Sequence, residues 1–370
     1  MHEILKQSSN PDLCKELLAA VIEKAQEFQS VFGRKPAFME VCGSHTMALA
    51  KSGVKQCLID DVKLISGPGC PVCVTDQQSI DAMISLAEGD GRIICTFGDM
   101  VRVPGSQKTL LDAKTEGRDI RVLYSPVDAI RIAQENPDKE VIFLGIGFET
   151  TIPILAILVG RAHELQLKNF SVWMTTKLVE PILRSLLDAG EVGLDGFLLP
   201  GHVSIVLGED YYQFLAQEYH VSGVISGFEP AELLSGIYKL IQLALDNEAR
   251  IINDHRSIVT KEGNTVAKAW MDTYFTVCDE AWRGIGIIPN SGLEIKPEYE
   301  QYNAKKKFQV KLGEPKKTKC RCGEVIRGLI SPNECSLFGK ACRPVNPIGP
   351  CMVSAEGSCS AYYQYMRESY

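Results

Sequence analysis

The chain has 370 residues, a formal net charge of -7, 45% hydrophobic residues and 23% charged residues. This composition is typical of a globular protein long enough for two or three domains, and its acidic balance gives no support for binding nucleic acid. The first residues lack a signal-peptide pattern and no apolar run is long enough to cross a bilayer, so we expect a cytoplasmic protein without a membrane partner.

The first element in chain order is an amphipathic helix over residues 12–32, because apolar residues recur there at helical spacing. A pattern of apolar strand, glycine-containing loop and helix then recurs six times. The strand ends read MEVCGSHT, LISGPGCPVC, ICTFGDMVRVPG, FLGIGFETT, FLLPGHVS and VISGFEP. This alternation predicts parallel sheets covered on both faces, with the functional site on the loops that follow the strands.

We predict an α/β fold with two parallel-sheet domains and a small cysteine-rich domain. Residues 113–126 are expected to connect the two sheet domains, residues 230–248 to form a long helix, and residues 296–319 to form a solvated linker. The cysteine-rich tail has too few apolar residues for its own core, so a metal would have to organise it. The predicted parts are an N-terminal helical segment (1–35), a first α/β domain with CGSHT and GPGCPVC (36–125), a second with GFETT and PGHVS (126–250), and a helical segment, linker and cysteine-rich domain (251–370).

Thirteen cysteines are many for such a chain, and they are unevenly distributed. In a reducing cytoplasm they are not expected to form a disulfide framework, so metal binding or redox chemistry is the better interpretation. Residues 320–359 hold six of them: Cys320, Cys322, Cys335, Cys342, Cys351 and Cys359.

The first cysteine motif is CGSHT, residues 42–46, which follows an apolar strand. Cys42 and His45 lie three residues apart on the same loop, close enough to act on one atom. A thiolate beside an imidazole is a soft-metal ligand or an activated nucleophile. The alternative is a buried structural cysteine whose neighbour Ser44 or Thr46 caps a helix.

The second motif is GPGCPVC, residues 67–73, a stiff loop with two cysteines. We expect a helix to begin near Thr75 or Asp76, so that its dipole stabilises thiolate at Cys70 and Cys73. A Cys-x-x-Cys pair is also typical of half a zinc site, but only Cys42 and His45 could complete one. Redox chemistry or transient metal binding is therefore favoured over structural zinc.

Three further polar positions follow strands: Glu149 in GFETT, His202 in PGHVS and Glu229 in SGFEP. GFETT lacks the lysine of a phosphate-binding loop, and Glu149 or Thr150 alone could cap a helix. A single histidine is more often structural than chemical, although the strand-end position of His202 favours a site.

The tail carries two cysteines more than one zinc ion or one 4Fe-4S cluster needs. It has no histidine and no compact Cys-x-x-Cys pairs, which disfavours a structural zinc site. An iron–sulfur cluster tolerates the wide spacing, and two spare thiols would then lie beside an electron source.

Together, CGSHT, GPGCPVC, GFETT, PGHVS and the tail ending CMVSAEGSC resemble the HypD family of nickel-iron hydrogenase maturation proteins. The resemblance covers essentially the whole chain. It implies two α/β domains and a domain with a 4Fe-4S cluster. It also implies a scaffold, formed with the small partner HypC, for assembling the Fe(CN)2CO group. Cyanide would come from HypE and HypF, and the hydrogenase large subunit would receive the group.

The resemblance also implies residue roles. Cys42 would hold the iron that carries cyanide and CO, with His45 beside it, and Cys70 and Cys73 would form a dithiol that also helps to hold iron. The family's spacing in the tail selects Cys320, Cys335, Cys342 and Cys359 as cluster ligands. Cys322 and Cys351 would then form a second dithiol, an arrangement that resembles ferredoxin:thioredoxin reductase.

Three functions therefore stand after the sequence is read. The first is a redox-active scaffold for assembling an iron cofactor. The second is a thiol–disulfide oxidoreductase, which would not need Cys42 and His45 beside its dithiol. The third is a zinc-stabilised interaction protein without chemistry.

Overall fold

The computed structural model describes residues 10–310 and 318–366. Its strands form two parallel sheets and one antiparallel hairpin. The strands are β1 (Ala37–Glu40), β2 (Lys63–Ser66), β3 (Arg92–Thr96), β4 (Asp119–Val122), β5 (Glu140–Gly147), β6 (Phe170–Thr176), β7 (Gly196–Pro200), β8 (Ser222–Ser226), β9 (Ile251–Asn253), β10 (Phe275–Trp282) and β11 (Gly286–Ile295).

Helices connect the strands and cover the sheets. They are α1 (Pro11–Phe32), α2 (Gly43–Lys51), α3 (Val54–Cys57), α4 (Pro71–Val74), α5 (Gln77–Ala87), α6 (Leu110–Thr115), α7 (Asp128–Glu135), α8 (Ile152–Glu164), α9 (Val179–Ala189), α10 (Gly201–Leu207), α11 (Gln213–Gln217), α12 (Pro230–Leu245), α13 (Thr265–Tyr274), α14 (Ala304–Lys307), α15 (Cys322–Ile326) and α16 (Ser358–Tyr365). Short 3-10 turns cover Gly98–Arg102, Asp210–Tyr212, Pro297–Tyr302, Pro332–Glu334 and Pro350–Met352.

The predicted α/β class is confirmed by the two sheets. The first has the order β2-β1-β7-β8-β9 and the second the order β4-β3-β5-β6, with all neighbours parallel. Their central strands are buried at nearly every position because helices cover both faces. The six strands expected from the sequence are β1, β2, β3, β5, β7 and β8.

The two sheets are interleaved along the chain, so they do not follow the predicted boundary at residue 125. The first sheet takes strands from residues 37–66 and 196–253, and the second from residues 92–176. The apolar strand β3 lies inside the second sheet and pairs with β4 on one side and β5 on the other. The segment 113–126, expected to connect two domains, instead contains the edge strand β4.

The expected N-terminal and long helices are confirmed as α1 and α12, whereas the predicted linker is wrong in part. Residues 297–307 form a 3-10 turn and α14, with Tyr302 and Ala304 buried. The Tyr302 hydroxyl donates a hydrogen bond to the Ala162 carbonyl, 3.1 Å away, which attaches this segment to α8. Residues 311–317 of the predicted linker, and 1–9 of the predicted N-terminal segment, lie outside the described residues.

The cysteine-rich tail is packed into the rest of the molecule. Helix α16 lies against α2, where Ala361, Tyr362 and Met366 form an apolar cluster with Ala50. The tail therefore draws part of its core from the first sheet's helices, which the sequence did not indicate. Among residues 10–310 and 318–366, no helix is both long enough and apolar enough to cross a membrane.

Candidate functional site

The loops of interest lie at the points where strand order reverses in each sheet. In the first sheet this point lies between β1 and β7, and Cys42 and His202 follow those strands. In the second sheet it lies between β3 and β5, and Glu149 follows β5. Crevices at such points are where open α/β sheets bind ligands.

A cavity of about 280 Å³ joins the two crevices. Cys42 and His202 line it from the first sheet, Thr150 and Thr151 from the second, and Glu356 from the tail. The GPGCPVC loop crosses Cys42 so closely that a Cβ on Gly69 would lie 2.2 Å from the Cys42 Cα. Only glycine fits at that crossing, which explains the first part of the motif.

Cys42 is the N-cap of α2 and is almost fully buried. Burial raises the pKa of its thiol to about 12, and the carboxylate of Glu356 adds to the rise. Backbone N–H groups of His45 and Ser44 offset this in part, because they donate to the sulfur. The Cys42 thiol is therefore neutral at pH 7, and it must release a proton to bind a cation.

The imidazole beside Cys42 belongs to His202, whereas the sequence predicted His45 in this place. The Cys42 Sγ lies 3.8 Å from the His202 Nε2, and burial lowers the pKa of His202 to about 4. His45 lies on α2 and its Nε2 is 3.0 Å from the Gly227 carbonyl oxygen. The helix that begins after Cys42 turns the His45 side chain away from the thiol, which the loop reading of CGSHT did not anticipate.

The two histidines are nevertheless connected through one aromatic ring. Phe228 lies 4.7 Å from the His45 ring and 5.0 Å from the His202 ring, measured between centroids. Burial lowers the pKa of His45 to about 4, so both imidazoles are neutral at pH 7. His45 thus supports the wall of the cavity behind His202. The neighbouring candidate Glu229 is the N-cap of α12 and forms a capping box with Glu232.

Sequence reasoning missed the contribution of the tail to this cavity. The Ser44 hydroxyl donates to Glu356 Oε1 over 2.6 Å, and Ser354 donates to Asp99 Oδ2 over 3.0 Å. Burial raises the pKa of Glu356. A lone Glu between two tail cysteines carries no sequence signal, because its partner Ser44 lies 312 residues away.

Glu149 of GFETT is buried at the second crevice. Its Oε1 accepts a hydrogen bond of 2.8 Å from the Val179 N–H, at the first residue of α9, and one of 3.4 Å from the Tyr211 hydroxyl. Burial raises the pKa of Glu149 to about 7. Glu149 therefore caps a helix, which was one of the interpretations of GFETT. The helix is α9, however, and not α8, which follows GFETT in the chain.

Cys70 and Cys73 are joined by a disulfide, with their Cα atoms 5.2 Å apart. Cys70 is the N-cap of the short helix α4, and Cys73 lies within it. The predicted helix start is confirmed, since α5 begins at Gln77 with Asp76 as its N-cap. Both cysteines are buried within the core that the two sheets share.

The tail thiols lie close together, and four of them interact directly. The Cys322 sulfur lies within hydrogen-bonding range of both Cys320 and Cys351, to one of which it donates its single proton, and Cys359 donates to Cys351. These bonds lower the pKa of Cys320 to about 7 and that of Cys351 well below its usual value. They raise the pKa values of the donor thiols Cys322 and Cys359.

The tail thiols fit the requirements of a cluster bound by thiolates. Cys342 lies close enough to Cys320 and Cys335 to interact with them electrostatically, and its sulfur accepts a 3.4 Å hydrogen bond from the Ile348 N–H. Hydrogen bonds to sulfur are one means by which proteins tune such clusters. Among the described residues, no three His, Cys, Asp or Glu side chains form a preassembled site for a single metal ion.

The tail thiols lie directly behind the disulfide. Helix α15, which begins at Cys322, and the 3-10 turn that contains Cys351 both pack against α4. Cys73, Cys322 and Cys351 belong to one continuous buried core. No local motif indicates this proximity, because some 250 residues separate α4 from α15.

A larger cavity of about 820 Å³ lies elsewhere, between β2 and residues 328–334. No cysteine or histidine lines it, and its buried Lys55 is already paired with Glu40 at 2.5 Å. Volume alone therefore does not identify the chemical site. The smaller cavity holds the thiol, the imidazole and the strand ends.

Comparison with known proteins agrees with this geometry. Residues 12–366 match the HypD family model, described as "Hydrogenase formation hypA family". The chain belongs to the HypD family. It is 41% identical to the "Hydrogenase maturation factor HypD" of Escherichia coli K12, over 97% of this chain and 96% of that protein. It is also 42% identical to HypD of Azotobacter vinelandii, over 90% of each, and 40% identical to HypD of Rhodobacter capsulatus, over 96% of each.

Proposed function

We propose that this chain is a hydrogenase maturation factor, and that its cleft holds iron carrying cyanide and CO as cargo for a nickel-iron hydrogenase. The observation that carries the proposal is the buried Cys42 thiol in a cavity at the meeting point of two strand-order reversals. Membership of the HypD family supports it. A polarisable thiolate is a suitable ligand for low-spin iron with strong-field ligands.

The cleft residues would act as follows. Cys42 loses its proton and binds the cargo iron, while the backbone N–H groups of Ser44 and His45 stabilise the thiolate. His202, 3.8 Å from the sulfur, turns an N–H towards the thiolate or towards a ligand on the iron. Burial keeps water from the cargo, and the Ser44–Glu356 hydrogen bond closes the cavity on the tail side.

Cys70 and Cys73 would add reversible thiol chemistry to this cleft. When two electrons and two protons enter, the disulfide opens to two thiols, which lie on the loop that crosses Cys42. These thiols could then bind the same iron. Their position at the start of a helix favours the thiolate forms.

We propose Cys320, Cys335, Cys342 and Cys359 as the ligands of a 4Fe-4S cluster, with Cys322 and Cys351 as a second dithiol beside it. Such a cluster, when bound, supplies electrons one at a time. The thiols of Cys322 and Cys351 form a hydrogen bond and lie on elements that contact α4. They would therefore pass reducing equivalents to the Cys70–Cys73 pair by a short path.

The partners proposed for this function are a HypC-type small chaperone in the scaffold, HypE and HypF as the cyanide source, and the hydrogenase large subunit as recipient. All would meet the protein in the cytoplasm. The alternative function is a thiol–disulfide oxidoreductase resembling ferredoxin:thioredoxin reductase. The disulfide backed by a second thiol pair favours it.

The deciding experiment is infrared spectroscopy of the anaerobic protein isolated with its small partner. We expect stretching bands of iron-bound cyanide and CO. Their absence from fully reduced, cluster-containing protein, together with turnover of a protein disulfide, would favour the oxidoreductase. A colourless preparation with stoichiometric zinc would overturn both.

A further inference from the structure

A single turn connects the disulfide helix with the tail thiols. This bridging turn comprises Trp282–Ile285, at the tip of the β10–β11 hairpin. On one side Trp282 pairs with Thr75, just after α4. On the other side Gly284 lies against Gly323, and a Cβ on Gly284 would be 2.3 Å from the Gly323 Cα. Gly284 also has a φ of +70°, so both the contact and the backbone favour glycine.

Arg283 makes the specific contacts of the bridging turn. Its main-chain N–H donates to the Val74 carbonyl over 2.8 Å, and its Nε donates to the Thr75 carbonyl over 2.8 Å. Its Nη1 donates to Gln77 Oε1 over 3.1 Å. The main chain of Arg283 thus binds the last carbonyl of α4, and its guanidinium links Thr75, the next residue, to the first residue of α5.

The charge of Arg283 is not neutralised by these bonds. Its hydrogen-bond acceptors among the described residues are all neutral, and its Nη2 is buried there without a partner. The same guanidinium acts electrostatically on Cys320. Arg283 is half-buried, and a cation partly withdrawn from water without a carboxylate partner among the described residues is costly, so its placement between two thiol groups calls for an explanation.

We propose that Arg283 is a positioning residue for the thiol relay, the transfer of reducing equivalents from the tail thiols to the Cys70–Cys73 pair. Arg283 holds this pair against the tail thiols and stabilises the thiolates that form on reduction. The proposal rests on the proposed function, because it concerns the same relay. Arginine suits the task because its planar fork makes several directed hydrogen bonds and its charge is permanent. When the disulfide is reduced, negative charge develops near a cation that has no carboxylate partner in the described part of the chain.

The test is the redox equilibrium of the full-length anaerobic protein in dithiothreitol buffers, read by alkylation and mass spectrometry. Two electrons and two protons pass from dithiothreitol, which closes to its cyclic disulfide, to the Cys70–Cys73 bond, which opens to two thiols. We expect Arg283→Gln to shift this equilibrium towards the disulfide by roughly tenfold, about 30 mV for a two-electron couple. Arg283→Lys keeps the charge and should stay close to the parent.

Arg327→Gln is the matched control, because Arg327 carries the same charge in the tail but pairs outward with Glu191. An equilibrium in Arg283→Gln equal to that of the parent, or equal shifts in the Gln and Lys variants, would overturn the inference. So would an equal shift in Arg327→Gln. If Arg283→Gln does not fold, Arg283→Met, which also removes the charge, takes its place with the same expected tenfold shift. A Cys70–Cys73 pair that never cycles in the parent would instead overturn the redox part of the proposed function, and the inference with it.

Discussion

The cleft and the tail both bury cysteines, but their surroundings shift the thiol pKa values in different ways. In the cleft, burial raises the pKa of Cys42 to about 12 and lowers that of His202 to about 4, so thiol and imidazole are both neutral. In the tail, hydrogen bonds between thiols lower the pKa of Cys320 to about 7. Burial alone therefore does not decide the charge of a cysteine, because neighbouring donors can outweigh it.

Under the proposed function, this difference would suit two kinds of iron. A cleft whose thiol and imidazole are neutral would admit an iron fragment and exchange the Cys42 proton for it. The tail thiols already form hydrogen bonds with one another, which would suit a cluster that needs several thiolates. The predictions below separate the two regions, beginning with the largest expected effect.

The largest effect is expected at Cys42. Cys42→Ala should remove the cargo iron completely, because Cys42 is the only cysteine among the described residues that line the cavity, and the nearby Cys70 and Cys73 are joined in a disulfide. The infrared bands of cyanide and CO should disappear while the iron and sulfide of the tail remain. Cys95→Ala is the matched control, since Cys95 is equally buried and its pKa is likewise raised to about 12 by burial. Bands that survive in Cys42→Ala would shift the iron site to Cys70 and Cys73.

The reverse pattern is expected in the tail. Cys342→Ser should lose most cluster iron and sulfide, because a serine hydroxyl is a poor ligand for this metal. The Cys42 cavity should stay intact, since α16 docks on α2 through apolar contacts. Cys322→Ser should keep the cluster, and the exposed Cys57→Ser is a control. If Cys320→Ser kept the full cluster and Cys322→Ser lost it, Cys322 would be the cluster ligand and Cys320 would belong to the dithiol.

A third prediction concerns the neutral character of the cleft. The pKa of Glu149 is about 7 in the folded protein, above its value in the unfolded chain. Protonated Glu149 therefore stabilises the fold, fully below the unfolded pKa, and this contribution is lost as the pH rises through 7. Glu149→Gln keeps the acceptor for Val179 but cannot ionise. We therefore compare the free energies of unfolding of Glu149→Gln and the parent, measured in urea. The difference in favour of the variant should be about 2 kcal/mol larger at pH 8.5 than at pH 5.5.

The control for Glu149 is Glu229→Gln, which removes the same charge at the N-cap of α12. Its stability relative to the parent should change little over this pH range. A pH-independent difference between Glu149→Gln and the parent would show that Glu149 is not held in a neutralising environment.

Much of the fold could be predicted from the sequence, because buried parallel strands are continuous apolar runs with glycine at their ends. The interleaving of the sheets could not, since strand partners such as β3 and β5 are chosen by tertiary packing. Strand β6, FSVWMTT, was missed because its polar residues Ser171, Thr175 and Thr176 are buried and hide its apolar pattern.

The site was predicted only as far as strand ends could indicate it. Cys42 and His202 meet because parallel strands β1 and β7 are neighbours, a fact of topology that local motifs do not carry. The three-residue spacing in CGSHT predicts His45 beside the thiol, but closeness in sequence does not bring two side chains together, and His202 lies there instead. Glu356 and Arg283 had no local signal, since each acts across more than 200 residues.

The smallest effect separates the two histidines of the cleft. His202 lies beside the Cys42 sulfur, whereas His45 reaches it only through its backbone N–H and through Phe228. We expect His202→Gln to weaken retention of the cargo iron roughly tenfold, a typical cost for losing a group that orients a metal ligand. His45→Gln should weaken it less, since glutamine can still bond the Gly227 carbonyl and the backbone N–H remains.

The measurement is the rate at which the cyanide and CO bands decay under a chelator, at a pH where both imidazoles are neutral. Because the pKa values of both histidines are lowered to about 4, their charge cannot differ between pH 6.5 and pH 8, and the ratio of the two decay rates should stay constant over that range. A faster loss in His45→Gln than in His202→Gln would return the role beside the iron to the histidine of CGSHT.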